Sequence, residues 1–140
     1  MNNGIGSLER SWTIPSRYGW EKTIMNQIQA ELSSIPGAAA RLHDMLTAVS
    51  EACLNAMEHG NGMNPSLTVS TDMLVRERSV VFRICDQGAG FAPDELTRRD
   101  PYGEANPRGW GMLLMTQLAD EVRVGMGQAP FCIELHFATK

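Results

Sequence analysis

The residues best suited to chemistry in this 140-residue chain fall into three short clusters: Glu51 with Asn55, Asp86 with Gly88 and Gly90, and Arg108 with Gly109 and Gly111. Glu51 and Asn55 stand four apart, so on a helix they are neighbours and can act on one ligand. An Asn amide oxygen is a neutral ligand suited to Mg2+. A carboxylate one turn away can hold a metal-bound water or take the proton of an attacking hydroxyl. Ionised Asp86 only accepts hydrogen bonds, which matches the exocyclic amine of adenine and repels the carbonyl that guanine carries at that edge. Gly88 and Gly90 let the chain turn sharply and a flat ring approach with no Cβ in the way. Arg108-Gly-Trp-Gly111 opens an apolar run. A glycine turn at a helix start offers free N–H groups and the positive dipole end to phosphate oxygens, and Arg108 adds a charge-assisted contact.

Each cluster also has a plain structural alternative: a solvated helix face, a glycine turn after a strand, a helix start with no ligand. Other known sites fit worse. Neither glycine loop completes G-x-G-x-x-G, since Pro93 and Leu114 stand at the third glycine position, and no P-loop pattern occurs. An EF-hand would need an oxygen ligand where Gly88 stands. His43 and His59 fall far apart on a helical wheel and read as surface or capping residues, not metal ligands.

The elements that must position these residues are set by periodicity. The pattern predicts a short strand over 11–14, a helix over 17–32 with Ile24, Ile28 and Leu32 as its seam, and a long helix over 38–59. On that long helix Leu42, Met45, Leu46, Val49, Cys53, Ala56 and Met57 share one side; Asp44, Glu51, Asn55 and Glu58 share the other. The glycines at 60 and 62 read as its C-terminal cap. Strands are expected over 67–75 and 79–85, with a hairpin turn at 76–78, and the second delivers Asp86 at its end. A helical turn at 93–96, a lid-like polar segment over 97–108, a helix over 111–119 and strands over 121–126 and 131–138 complete the order. This is an α+β two-layer sandwich, with helices covering one face of a mainly antiparallel, mixed sheet. Residues 1–10 read as a flexible N-terminus and 11–140 as one domain.

Bulk properties narrow the partners. A net charge of −4 with no basic run argues against nucleic acid or an anionic membrane surface. No apolar run reaches the roughly 20 residues of a membrane span, and the N-terminus lacks signal-peptide features, so a cytoplasmic protein is expected. Cys53, Cys85 and Cys132 are widely spaced in apolar stretches and are expected as reduced core thiols.

E-x-x-x-N, D-x-G-x-G and G-x-G in this order resemble the GHKL superfamily of ATPases and kinases, whose nucleotide lies in a Bergerat-type fold. The wording Glu51-Ala-Cys-Leu-Asn-Ala-Met-Glu-His-Gly60 and Gly109-Trp-Gly-Met-Leu-Leu-Met-Thr-Gln-Leu-Ala-Asp-Glu-Val122 is similar to the small bacterial anti-sigma-factor serine kinases of the RsbW and SpoIIAB type. The resemblance runs from about residue 11 onward. It implies that Asn55 ligates Mg2+, that Glu51 is the catalytic base and that Asp86 binds the adenine amine of ATP. It further implies that Gly88 and Gly90 shape the adenine pocket while Arg108, Gly109 and Gly111 face the phosphates.

Relatives of that kind bind a sigma factor, phosphorylate a serine on a STAS-domain anti-anti-sigma protein and often form homodimers. Phosphoryl transfer is mostly positioning and charge neutralisation, so this short set of parts suffices. Trp110 departs from the small or aliphatic residue expected between the two glycines, and Arg98 and Arg99 in the lid read equally as solvated charges. A rival class is an ATP-gated binding module without catalysis. Glu51 speaks against it, because a pure binder needs no base beside Asn55. The detached ATP-binding end of a histidine kinase is a third class, and no helix with a phosphoacceptor His is expected ahead of the domain.

Overall fold

The computed structural model describes residues 7–88, 111–125 and 131–139. The expected helical turn at 93–96, the 97–108 segment, Gly90, Arg108, Gly109 and Trp110 lie outside these residues. Among the described residues the order is β1 (Leu8–Pro15), α1 (Glu21–Leu32), α2 (Pro36–Ala39), α3 (Leu42–Asn55), a π-helical turn (Ala56–Gly60), β2 (Thr68–Val75), β3 (Ser79–Cys85), α4 (Gly111–Leu118), β4 (Glu121–Val124) and β5 (Cys132–Ala138). The strands form one sheet in the order β1-β2-β3-β5-β4. All four pairings are antiparallel, so the expected mixed sheet is corrected to an antiparallel one.

Period-2 alternation gives the sheet two unlike faces. Val69, Met73, Val80, Phe82, Ile84, Leu135 and Phe137 are buried under the helices, and the Phe82 and Phe137 rings meet edge to face at 6.0 Å. Each large side chain so buried contributes about 1.5–3 kcal/mol. The opposite face carries a cross-strand row in register, Ser11–Asp72–Arg83–Glu134–Arg123, in which charges alternate in sign. Opposite charges facing across strands are mildly stabilising and keep that face wet. From the helical side, Ile24, Ile28 and Leu32 of α1 and Met45, Ala48, Val49, Ala52 and Cys53 of α3 fill the interlayer core. The expected seam of α1 is therefore the observed one.

Further expectations are corrected. The short strand expected over 11–14 runs from Leu8 to Pro15, so residues 8–10 of the expected flexible N-terminus belong to the sheet. The helix expected over 38–59 is divided at Ala40–Arg41 and ends in the π turn. The division comes from a tertiary anchor that periodicity does not show. Arg41 donates to Asp120 Oδ2 at 2.6 Å, Leu118 O at 3.0 Å and Ala138 O at 3.1 Å, and its guanidinium lies 5.3 Å from the Phe137 ring centroid. The helix expected from residue 17 starts at Glu21, because Gly19 takes φ +99° and its N–H donates to Glu21 Oε1 at 2.8 Å. Cys85 and Cys132 are not reduced thiols. They are direct cross-strand partners on β3 and β5, joined by a disulfide across a Cα separation of 4.1 Å. Cys53 alone is the buried free thiol, its pKa pushed up to about 12 by desolvation. No helix of the described residues is long and apolar enough to cross a membrane.

Candidate nucleotide site

The C-terminal half of α3 places Glu51 and Asn55 on one side of the helix, where the start of α4 meets it. A Cβ added to Gly111 would lie 2.9 Å from Glu51 Oε1 and 3.0 Å from Asn55 Nδ2, so the glycine lets α4 approach these two side chains closely. The first and third sequence clusters thus touch. Asn55 is 5% exposed, which rules out the solvated-face alternative for it; Glu51 is half-buried.

Beyond Asn55 the chain continues in the π turn, where the Asn61 N–H reaches back to Ala56 O at 2.9 Å. Such wider turns recur at functional sites, where they re-aim the chain beyond them. Here the turn brings Gly60 against Asp86: a Cβ on Gly60 would overlap the Asp86 carboxylate, and one on Gly88 would overlap the Gly60 carbonyl.

Asp86 comes directly after the last residue of β3. Its N–H donates to Phe131 O at 3.0 Å, and its Oδ1 accepts from the Gly88 N–H at 3.0 Å. The residue is only 2% exposed, yet among the described residues Oδ2 has no hydrogen-bond partner. Burial pushes its pKa up to about 6, with the Gly88 N–H pulling the other way. A buried acceptor without a donor is costly, of order 1–3 kcal/mol, so this oxygen calls for a partner such as a water, an ion or a ligand. Asp86 and Asn55 line one small cavity with Ala52, Ala56, Ile84 and Phe131. Among the described residues the cavity is only about 10 Å³, so it marks the inner wall of a site, an apolar surface beside one acceptor, and not a whole ligand pocket.

Sequence reasoning named Glu51, Asn55, Asp86, Gly88 and Gly111, and the structure brings them together. Gly90, Arg108 and Gly109 remain outside the described residues. It missed Gly60, Asn61 and Phe131. The glycines at 60 and 62 were visible only as a helix stop, and nothing local marks Gly60 as the partner of a carboxylate 26 positions on.

Comparison with known proteins agrees with this geometry. Residues 14–135 match the model of the histidine kinase-like ATPase domain. The chain belongs to that family. It is 30% identical over 101 residues to an anti-sigma F factor from Geobacillus stearothermophilus, covering 69% of this chain and 68% of that one. It is 31% identical over 105 residues to the serine-protein kinase RsbW of Bacillus subtilis (strain 168), covering 65% of this chain and 66% of that one. The RsbU and RsbW domains of a Mycobacterium tuberculosis protein share the fold, with a TM-score of 0.64 at 20% identity. That match spans 93% of this chain and 31% of the other. Family membership makes ATP the expected nucleotide.

Proposed function

We propose that this chain is an ATP-dependent protein serine kinase acting as an anti-sigma factor in a partner switch. Its protein substrate would be a STAS-domain anti-anti-sigma protein, its second partner a sigma factor, its state a homodimer and its setting the cytoplasm. The names of the relatives support the kinase and anti-sigma parts of this reading. The observation that carries the nucleotide part is the buried Asp86, whose Oδ2 has no donor among the described residues, lining a small cavity with Asn55.

The residues fit the group they would hold. Asp86 accepts from the adenine amine and refuses a purine carbonyl; Gly88 keeps the turn beside it thin. Asn55 would hold Mg2+, which takes few protein ligands when phosphates supply the rest. When bound, the metal and triphosphate supply the transferable phosphoryl group with its charge neutralised. Glu51, one turn before Asn55, would take the proton of the substrate serine as its oxygen attacks. Gly111 admits the phosphates close to α4, and Gly90, Arg108 and Gly109 are assigned to the same nucleotide by their sequence pattern.

The test is a melting curve with and without Mg2+ and ATP, then transfer of labelled phosphate to a STAS-domain protein. ATP binding only the native state raises Tm. Asp86→Ala is expected to abolish that rise. Glu51→Gln is expected to keep the rise and lower phosphotransfer about 100-fold or more. A Tm indifferent to millimolar ATP would overturn the nucleotide site. Full transfer by Glu51→Gln would leave the nucleotide site and remove the base.

A further inference from the structure

Asn61 is a polar residue at 4% exposure that none of the steps above uses. All three hydrogen-bonding positions of its amide that face protein are engaged. Nδ2 donates to Ser16 Oγ at 2.9 Å and to Thr68 O at 3.0 Å, and Oδ1 accepts from the Gln87 N–H at 2.9 Å. A flipped amide would set oxygen against the Thr68 carbonyl and N–H against N–H, so this orientation is the one the surroundings select. The partners are themselves tied. Ser16 Oγ donates to Leu67 O at 2.8 Å, and Gln87 Oε1 accepts from the Thr68 N–H at 2.6 Å. The end of β1, the start of β2 and the loop after β3 are therefore all fastened to one side chain.

That side chain stands at the end of the α3–π element, whose earlier residues include Asn55. Gln87, which it grips, lies between Asp86 and Gly88. We propose that Asn61, acting through Gln87, is the positioning residue that sets adenine selectivity. It fixes the Asp86 carboxylate relative to the helix that carries the metal-binding amide.

The inference rests on the reading of Asp86 as the adenine acceptor and adds what holds it in place. Asp86 has little hold of its own: its backbone N–H bonds Phe131, and Oδ1 bonds the neighbouring Gly88. Telling an amine from a carbonyl at one ring position requires that Oδ2 stay within about 0.5 Å of its place. Gly60 contributes by contact, since its missing side chain leaves the space that the carboxylate fills. The π turn contributes by geometry. An α-helical continuation would bond the Asn61 N–H to Met57 and turn the amide away from Gln87; the bond to Ala56 allows both contacts at once.

The experiment measures the affinities of ATP and of inosine triphosphate, which carries a carbonyl in place of the amine, by calorimetry with Mg2+. The proteins are the wild type, Asn61→Ala, Asp86→Ala, the double variant and Asn61→Ser. The wild type should prefer ATP by about 100-fold, and Asn61→Ala should reduce that preference to about tenfold or less. Asn61→Ala should leave the affinity for inosine triphosphate within about threefold, and it should change nothing further in the Asp86→Ala background. A merely structural role would weaken both nucleotides equally, and that result overturns the proposal. If Asn61→Ala does not fold, Asn61→Ser, whose shorter side chain gives up the contact with the Gln87 backbone N–H, serves instead. A fall of about threefold or more in preference supports the clamp, and an unchanged preference overturns it. A wild type with no preference removes the adenine reading itself. Preference lost in Asp86→Ala but kept in Asn61→Ala removes only the clamp.

Discussion

The two ends of the candidate site are built in opposite ways. At the proposed metal end Glu51 and Asn55 sit one turn apart on a single helix, so α-helical geometry alone fixes their relation. At the proposed adenine end Asp86 stands on a loop. Its place depends on Gly60 and Asn61 after α3, Ser16 after β1, Thr68 of β2 and Phe131 before β5. A helix orders two functional groups through local hydrogen bonds, whereas a loop-borne carboxylate must be tied from several directions across the chain. Perturbing long-range ties should therefore damage adenine recognition and spare the chemistry at α3.

The disulfide gives the largest test of that division. Cys85 and Cys132 immediately flank Asp86 and Phe131, whose backbones are hydrogen-bonded to each other. The bridge spans 47 residues of chain, and constraint of the unfolded state over that length corresponds to about 4 kcal/mol. Urea unfolding of Cys132→Ser, or of reduced wild type, should show a loss approaching that figure. Thiol titration in denaturant should find Cys53 alone before reduction. The same change should narrow the preference for ATP over inosine triphosphate while phosphotransfer per bound ATP stays constant. The reverse pattern would break the division between the two ends.

Titration of Asp86 sharpens it. Its folded pKa of about 6 lies above the ordinary 3.8, so between these values the native state holds a proton that the unfolded chain has released. Stability of the apo protein should therefore rise as pH falls from about 6 toward 4. The gain is roughly 3 kcal/mol in all, and the burial penalty is fully present above pH 6. The adenine amine favours the charged carboxylate, so ATP affinity should weaken over the same acid range. The difference between wild type and Asp86→Asn isolates this contribution from other carboxylates. An identical pH dependence in the two proteins would mean that the carboxylate is not the titrating group.

The same contrast explains what could be read from the sequence. β3 is predicted to its end residues because its alternation is strict, and that places Asp86. The pairing of Glu51 with Asn55 was legible because both lie within one helical turn. Asn61 was not, since two of its three partners stand 26 and 45 positions away and only the folded sheet brings them near. The π turn carries no composition signal of its own, and the glycine at 60 looked like an ordinary helix stop. The cysteines misled for a related reason. Register decides whether two thiols face each other, and register between β3 and β5 was not read from hydrophobic pattern.

The smallest expected effect comes from Arg41, which divides α2 from α3 at the opposite end of the helix from Asn55. Its guanidinium serves Asp120 and two backbone carbonyls and covers the Phe137 ring. Removing charged hydrogen bonds and a cation–π contact of this kind lowers stability by about 2 kcal/mol. Arg41→Ala should show that loss in urea unfolding. The Asp120 carboxylate should stay below its usual pKa, because the Ala138 N–H, the larger cause of its lowering, remains. The contacts of Arg41 lead to α4, β5 and the residue before β4, none of which fastens Gln87. Arg41→Ala should therefore leave both the nucleotide preference and the effect of Glu51→Gln as they are in wild type. If it narrows the preference as Asn61→Ala does, adenine recognition depends on the general stability of the layer, and the local clamp is unnecessary.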